Sequence, residues 1–351
     1  MIRRNALAQK DTAAGNRSIS GSDAGQQKSL PEWYKPRIDR QDLKALIKRN
    51  NYRAFFSHGL WFVSLGITGY LAVITYGTWW CVPAFFVYGT IFATCNARWH
   101  ESSHGTPFKT QFLNEIVYFI SAAGEFRDIV FTRWSHTNHH SYTIITDRDL
   151  EIADRRPLKM WKLWLDFFHL KTGPYFIYML IAHSLGIPTK DPKRVVPEGE
   201  FRKMFWAARG CLGLHIAVIV FAIVIRSWIP VLLFTLPRFY GGILVWLFIL
   251  TQHAGLAQDV WDHRLSTRTV YLNPIFSFLY MHMEYHIEHH IFPNVPFHAL
   301  PRLHEKIKDQ LPRTYSGLWD VFKEQFPALL KQRHDANYYI RRELPEPASS
   351  L

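Results

Sequence analysis

The chain has 351 residues, with 41 Lys and Arg against 28 Asp and Glu, 18 His and only 3 Cys. An apolar content of 48% excludes intrinsic disorder for most of its length. Three cysteines exclude a disulfide framework, a four-thiolate zinc site and a self-contained iron–sulfur cluster.

A net charge of +13 calls for an anionic partner or surface. No zinc-finger spacing, basic helix with heptads or aromatic-interleaved RNA-binding signature is present, so nucleic acid is set aside. The other candidate is the cytoplasmic face of a membrane, where Lys and Arg gather beside hydrophobic spans. A mean hydropathy of −0.09 then averages two populations of residues.

Residues 1–54 read as a polar tail leading into a basic, amphipathic approach to the membrane. The first thirty are Ser/Gly/Gln-rich and lack an apolar core, so disorder is expected and no cleavable signal peptide is seen. Phe55–Tyr76 is uncharged apart from His58, and Val82–Ala97 is uncharged. Each approaches the ~20 residues that cross a bilayer as a helix. The aromatic link between them, with Trp79 and Trp80, suits a turn at the far interface.

A second pair follows, Met204–Ile225 and Ile229–Leu250, joined by a short link around Pro230. Arg238 falls inside the fourth run and must face another helix or a cavity. Phe112–Ala123 and Pro174–Ile187 are short for spans and read as interfacial or re-entrant. Lys and Arg crowd the stretch before Phe55 and the middle loop, Arg155 to Lys203. The positive-inside rule therefore puts both termini and that loop in the cytoplasm. The expected fold is an all-α membrane protein. Two helical hairpins, four spans in all, carry a cytosolic histidine-rich helical cap. Residues 55–312 form the membrane domain and 313–351 a C-terminal cytosolic tail. Cys81, Cys95 and Cys211 lie in apolar stretches and read as packing residues.

The histidines cluster: His100 with His104, then His136, His139 and His140, then His286, His289 and His290. On this topology all three sets face the cytoplasm. On a helix, residues three and four apart project from one face, so each set converges. Eight convergent imidazoles repel if protonated and leave unpaired nitrogens if neutral; metal ions resolve both problems. Eight ligands suit two ions. Imidazole-rich, thiolate-free, open coordination favours redox-active iron over structural zinc. His100-Glu101-Ser-Ser-His104 also fits the H-E-x-x-H of a zinc metalloprotease, with Glu101 as general base. That reading leaves six clustered histidines unexplained.

The three clusters resemble the histidine boxes of the integral-membrane fatty acid desaturase and hydroxylase superfamily. His289-His-Ile-Phe-Pro293 through Pro301 resembles the segment after the third box, and His140 to Asp149 the tail of the second. The resemblance covers roughly Phe55 to Leu311. Thr251 to Arg264 and the run after Pro301 are also similar to bacterial members of a rhizopine-catabolism branch, fed by ferredoxin.

The resemblance implies a non-haem di-iron centre, with O2 as co-substrate, that desaturates or hydroxylates an unactivated C–H bond of an acyl or other hydrophobic substrate. In the rhizopine branch the implied substrate is a methyl ether on a small polar ring, an inositol derivative. The resemblance also implies a ninth ligand after the fourth span, at His253. The family often carries a water-holding Asn one turn earlier, where this chain has Ile249. His282, one turn before His286, is held as a supporting residue. Asp147, Asp149, Asp259, Asp262, Glu284 and Glu288 are candidates to accept the free N–H of ligand imidazoles. Trp99 and Trp134 are candidates to wall the site. His263, His298, His304, His169 and His334 read as surface or hydrogen-bonding residues. No His-Pro-Gly-Gly, cluster-binding cysteine set or Gly-x-Gly-x-x-Gly occurs, so electrons are expected from a separate ferredoxin, or from cytochrome b5 with its reductase. The basic surface suits an acidic carrier.

Overall fold

The computed structural model describes residues 32–152 and 155–345. The first thirty residues, expected to form a tail, lie outside them. Among the described residues the regular structure is helical, and the β-pairing amounts to two isolated bridges, Thr269 with Tyr285 and Val270 with Tyr315.

Helix α1, Arg40–Leu46, starts at Asp39, whose carboxylate accepts from the N–H groups of Gln41 and Asp42. Helix α2, Asn51–Ile74, starts at Asn50, whose side chain accepts from Arg53 N–H. Its 24 residues span about 36 Å at the α-helical rise, more than the ~30 Å of a bilayer core. Phe55, Phe62, Val63, Ile67 and Tyr70 along it are exposed, as side chains facing lipid would be.

Helix α3, Cys81–Ala93, packs along α2 as a hairpin partner. It breaks at Thr94, whose hydroxyl donates to the Ile91 carbonyl, and resumes as α4, Cys95–Ser103. The expected second run is therefore a jointed rod, and α4 carries the first box. Helices α5 (Gln111–Ala123) and α8 (Thr172–Ser184) have 13 residues each, too few to span, as expected. Between them lie α6 (Ile129–Ser141), with the second box, and α7 (Met160–Leu165). After the short α9 (Pro192–Val195) comes α10, Phe201–Val224, which packs mainly on α8.

The fourth run departs from the expected uninterrupted span. It is a π-helical turn, Val231–Thr235, then α11 (Pro237–Gly241), then α12 (Ile243–His253). Pro230 and Pro237 cannot donate into a preceding turn, and the Gly241-Gly242 pair weakens the next one. Among the described residues two helices are long and apolar enough to cross a membrane: α2, and α10 together with the 3-10 turn that precedes it, Glu198–Val224. The breaks let α11 approach α3 closely. A Cβ on Gly241 would overlap the carbonyl group of Gly89, and one on Gly242 would overlap the Arg238 guanidinium.

Helices α13 (His263–Ser266), α14 (Pro274–Tyr280), α15 (His286–Ile291), α16 (Leu300–Ile307) and α17 (Leu318–Lys331) follow. Helix α15 carries the third box, over a core of Ile287, Val295, Leu300, Leu303 and Ile307. Residues beyond Pro312 dock on the body of the protein. Tyr315, Val321 and Phe322 pack on Trp246 and Leu250 of α12, and Ile340 packs on Leu256 and Ala328.

Replacing Gly241 by Ala should destabilise the protein by about 1–3 kcal/mol, because two backbones must separate. The control Gly213→Ala, at a site with nothing within 4 Å of the new Cβ, should leave the midpoint of thermal unfolding in detergent unchanged or raised.

Candidate metal centre

The boxes sit on three short helices, α4, α6 and α15, and His253 ends α12. Asp128 caps α6 by accepting from Phe131 N–H, and its other oxygen lies 2.9 Å from His183 Nδ1 of α8. The last carbonyls of α12, which ends at His253, are taken by buried donors. Arg268 bonds the Thr251 and Ala254 carbonyls, and the Gln325 amide bonds those of Leu250 and Ala254.

Helix α4 is held through Glu125. One of its oxygens accepts from Asn96 Nδ2 at 2.9 Å and from Trp99 Nε1 at 2.8 Å. The other accepts from Arg238 Nε at 2.7 Å. Arg238, the charge inside the fourth run, thus faces another element through a buried ion pair. Burial works to raise the Glu125 carboxyl, but Arg238 and Arg127 outweigh it and hold it at about 2.

These supports bring nine imidazoles into two groups. His100, His104, His136, His140 and His289 form one; His139, His253, His286 and His290 form the other. Within each group the potential ligand atoms lie within 4.8 Å of one another. Nε2 atoms face each other at 2.9 Å (His100–His289), 3.0 Å (His104–His136) and 3.1 Å (His136–His140). In the second group the separations are 3.2 Å (His253–His286) and 3.1 Å (His286–His290). The groups adjoin, with the rings of His140 and His290 stacked at 4.4 Å. Trp99 walls the first group, its ring 5.8 Å from His100 and 5.9 Å from His136.

Hydrogen bonding fixes where the ring protons sit. His253 Nδ1 donates to the Ser266 carbonyl, which can only accept. His139 Nδ1 donates to Asp149 at 2.8 Å. Thr143 spends its hydroxyl proton on the His139 carbonyl and so accepts from His290 Nδ1 at 3.1 Å. His136 Nδ1 points at Glu151, 3.4 Å away. Each of these four rings then presents an Nε2 lone pair to the interior. His286 can donate one proton, to His253 or to His290, so one facing pair stays lone pair against lone pair. Hydrogen bonds alone cannot satisfy this arrangement; cations can.

Electrostatics act in the same direction. Burial first, and neighbouring imidazoles second, push His100, His104, His140, His286, His289, His290 and His253 well below the usual imidazole range. His139 differs. Burial lowers it too, but the Asp149 carboxylate outweighs burial and raises it to about 9.

The sequence model of the fatty acid desaturase family matches residues 77–322, a stretch that contains all nine histidines. The chain belongs to the fatty acid desaturase family. It is 26% identical over 298 residues to an sn-1 acyl-lipid omega-3 desaturase (ferredoxin) of Synechocystis, covering 77% of this chain and 81% of that one. It is 25% identical over 290 residues to a dihydrorhizobitoxine desaturase of Bradyrhizobium elkanii, covering 74% and 78%. A Delta(6)-fatty-acid desaturase of Caenorhabditis elegans is 24% identical over 229 residues, 56% of this chain and 51% of that one. Membership makes the protein an oxidoreductase of desaturase type.

Of the acidic residues expected to support a desaturase centre, Asp149 does so directly. The others bond elsewhere. Asp147 is exposed and pairs with Arg155, and Asp259 holds the Thr146 hydroxyl and N–H. Asp262 caps α13 and pairs with Arg264. Glu284 accepts from Ser277, and Glu288 accepts from Thr269 and bonds His304. His282 is not one turn up the box helix. Helix α15 begins at His286, and His282 sits in the turn before it, at a φ of 55°. Sequence reasoning missed Glu151, Thr143 and the Ser266 carbonyl. Glu151 was within reach of it, two residues past Asp149. One oxygen of Glu101, in the H-E-x-x-H pattern, accepts from both the Thr106 hydroxyl and the Phe297 N–H.

Asp149→Asn should weaken metal binding about 10- to 100-fold, since the partner that orients His139 is lost. Titration of the metal-stripped protein with ferrous iron measures this.

Proposed function

We propose that the protein is a membrane-embedded non-haem di-iron oxidoreductase that uses O2 to desaturate or hydroxylate an unactivated C–H bond of an acyl or lipid substrate. The observation that carries this reading is the pair of imidazole groups whose Nε2 lone pairs face inward. Five ligands, His100, His104, His136, His140 and His289, would hold one iron. His139, His253, His286 and His290 would hold the other. A redox-active iron pair supplies the O2 chemistry when bound. The chain's own work is to aim the rings, with Asp149, Glu151, Thr143 and the Ser266 carbonyl holding the outer nitrogens of four of them, while burial holds most of the others neutral. Water is limited by the protein packed around the cluster, in which six of the nine histidines are buried and His104, His140 and His253 are partly buried.

In this reading residues 55–312 form the membrane domain, residues 1–54 precede it and 313–351 end the chain in the cytoplasm. Helices α2 and α10 cross outright, and the α3–α4 rod and the broken fourth run return. Both termini and the metal site then face the cytoplasm, on the side rich in Lys and Arg. Electrons come from a separate acidic carrier, a ferredoxin or cytochrome b5 with its reductase; one relative's name specifies ferredoxin.

A second reading has its own support. The Bradyrhizobium relative is named for dihydrorhizobitoxine and not for a fatty acid. That name supports a substrate other than an acyl lipid, and the alternative it leaves open is a small polar one, such as a rhizopine-like inositol derivative losing a methyl group by hydroxylation. The zinc-protease reading leaves seven of the nine grouped histidines without a role.

His139→Ala and His289→Ala should each abolish turnover and lower bound iron, with membrane insertion intact. Metal analysis should find about two irons per chain. One zinc and no iron would refute the proposal. Comparing lipids and small metabolites in cells with and without the gene separates the two substrate readings: a new double bond or hydroxyl on acyl chains supports the first, and loss of a methyl ether supports the second.

A further inference from the structure

Nine histidines are accounted for by the two groups, but His263 is a tenth that touches them. It is buried, its ring centroid lies 5.1 Å from that of His290, and it belongs to neither group. Its other face is covered by Trp33, stacked at 4.0 Å with only 3° between the planes. Trp33 is partly exposed. Its Nε1 donates to the Ser141 carbonyl at the end of α6, beside His140. The neighbouring backbone is tied down as well, Tyr34 N–H donating to the Trp261 carbonyl. A continuous aromatic path therefore runs from the protein surface through His263 to a ring of the second group, with one end pinned to the second box and the other to the third.

The surface around that path is aromatic and basic. Trp261 lies 5.0 Å from Trp33, and Tyr142 lies 6.3 Å from Trp261. The Arg264 guanidinium covers the Tyr34 ring, and Arg148 covers Tyr142. Lys35, Arg37 and Arg148 are exposed. Positive charge around a conjugated contact suits a small acidic protein carrying electrons.

We infer that the Trp33–His263 stack is the port through which an acidic [2Fe–2S] ferredoxin reduces the centre, and that Lys35, Arg37 and Arg148 hold the carrier over it. This rests on the di-iron reading above. The electron accounting is simple. Each docking event oxidises one carrier by one electron and reduces the centre by one. Two events, with two protons, match the two hydrogens taken from the substrate when one O2 leaves as two waters. Trp33 and His263 are positioning residues: electron tunnelling weakens steeply with distance, and packed rings shorten the gap between carrier and iron.

The test uses iron-loaded protein in lipid nanodiscs, with reduced plant-type ferredoxin and, separately, dithionite. Iron content and the rate of reduction are read by absorbance in a stopped-flow instrument. Trp33→Ala should keep its iron, be reduced by dithionite within about twofold of wild type, and be reduced by ferredoxin at least about tenfold more slowly. Trp33→Phe, which keeps a ring on His263, should recover most of that rate. The double variant Lys35→Glu with Arg37→Glu should weaken ferredoxin binding roughly tenfold at low salt and less at high salt. Wild-type ferredoxin rates in Trp33→Ala would overturn the inference and leave the di-iron reading standing. Failure of the wild-type protein to hold iron would overturn the di-iron reading and the inference with it. Reduction by cytochrome b5 with no measurable ferredoxin binding would overturn the choice of carrier and with it the inference.

Discussion

A set of imidazole nitrogens that face each other across about 3 Å, with too few protons to bridge every pair, sets the terms for the rest of this molecule. Such an arrangement is unfavourable unless a cation occupies the space, so everything around it must prevent the rings from turning away or taking up protons. Burial removes the second escape, and it is the leading cause holding most of the cluster neutral. Bonds to the outer Nδ1 atoms remove the first. Their acceptors differ in kind: a carboxylate for His139, a hydroxyl for His290 and a main-chain carbonyl for His253. Only the carboxylate adds charge, and His139 is accordingly the ring drawn toward its protonated form.

The scaffold answers the same demand at larger scale. Ligand-bearing helices are short, and short helices fray unless their ends are held. Asp128 holds the start of α6, while Arg268 and Gln325 hold the end of α12. The docked C-terminal segment belongs to this scheme, because Gln325 comes from α17. The part of the chain farthest in sequence from the second box therefore fixes a histidine that must meet it. Breaks in the apolar runs serve the same end. The fourth run breaks at its Pro and Gly positions, and Arg238 within it bonds Glu125 in the interior.

Much of the site was legible in the sequence because i, i+3 and i, i+4 spacing is a local property. Each box converges by helical geometry alone, and the two groups contain the eight histidines that spacing singled out together with His253, which only the family resemblance implied. How the nine divide was not legible, since His139 leaves its own box to join His253, His286 and His290. That division depends on the packing of α6 against α12 and α15. The acidic residues were legible only in part. Asp149 follows its histidine at close range, but Asp147 turns outward at a φ of 65° and Asp259 serves a loop. The place of His282 was not legible either, since a left-handed turn separates it from the helix that begins at His286. Composition gave two long apolar helices correctly, and two further runs whose proline and glycine breaks weigh little in a hydropathy average.

Glu125 has a consequence that extends beyond this one chain. A single carboxylate serves Asn96, Trp99 and Arg238, with Arg127 3.4 Å away, so none of these residues is free to vary alone. A lineage that lost the acid would strand a buried guanidinium, and one that lost the arginine would strand a buried acid. Either intermediate is costly enough to be removed by selection. In an alignment of relatives these positions should change as a block, all members retained or all exchanged together. Among descendants of a common ancestor it would mark a branch point in the family, because crossing from one solution to the other needs several coincident changes.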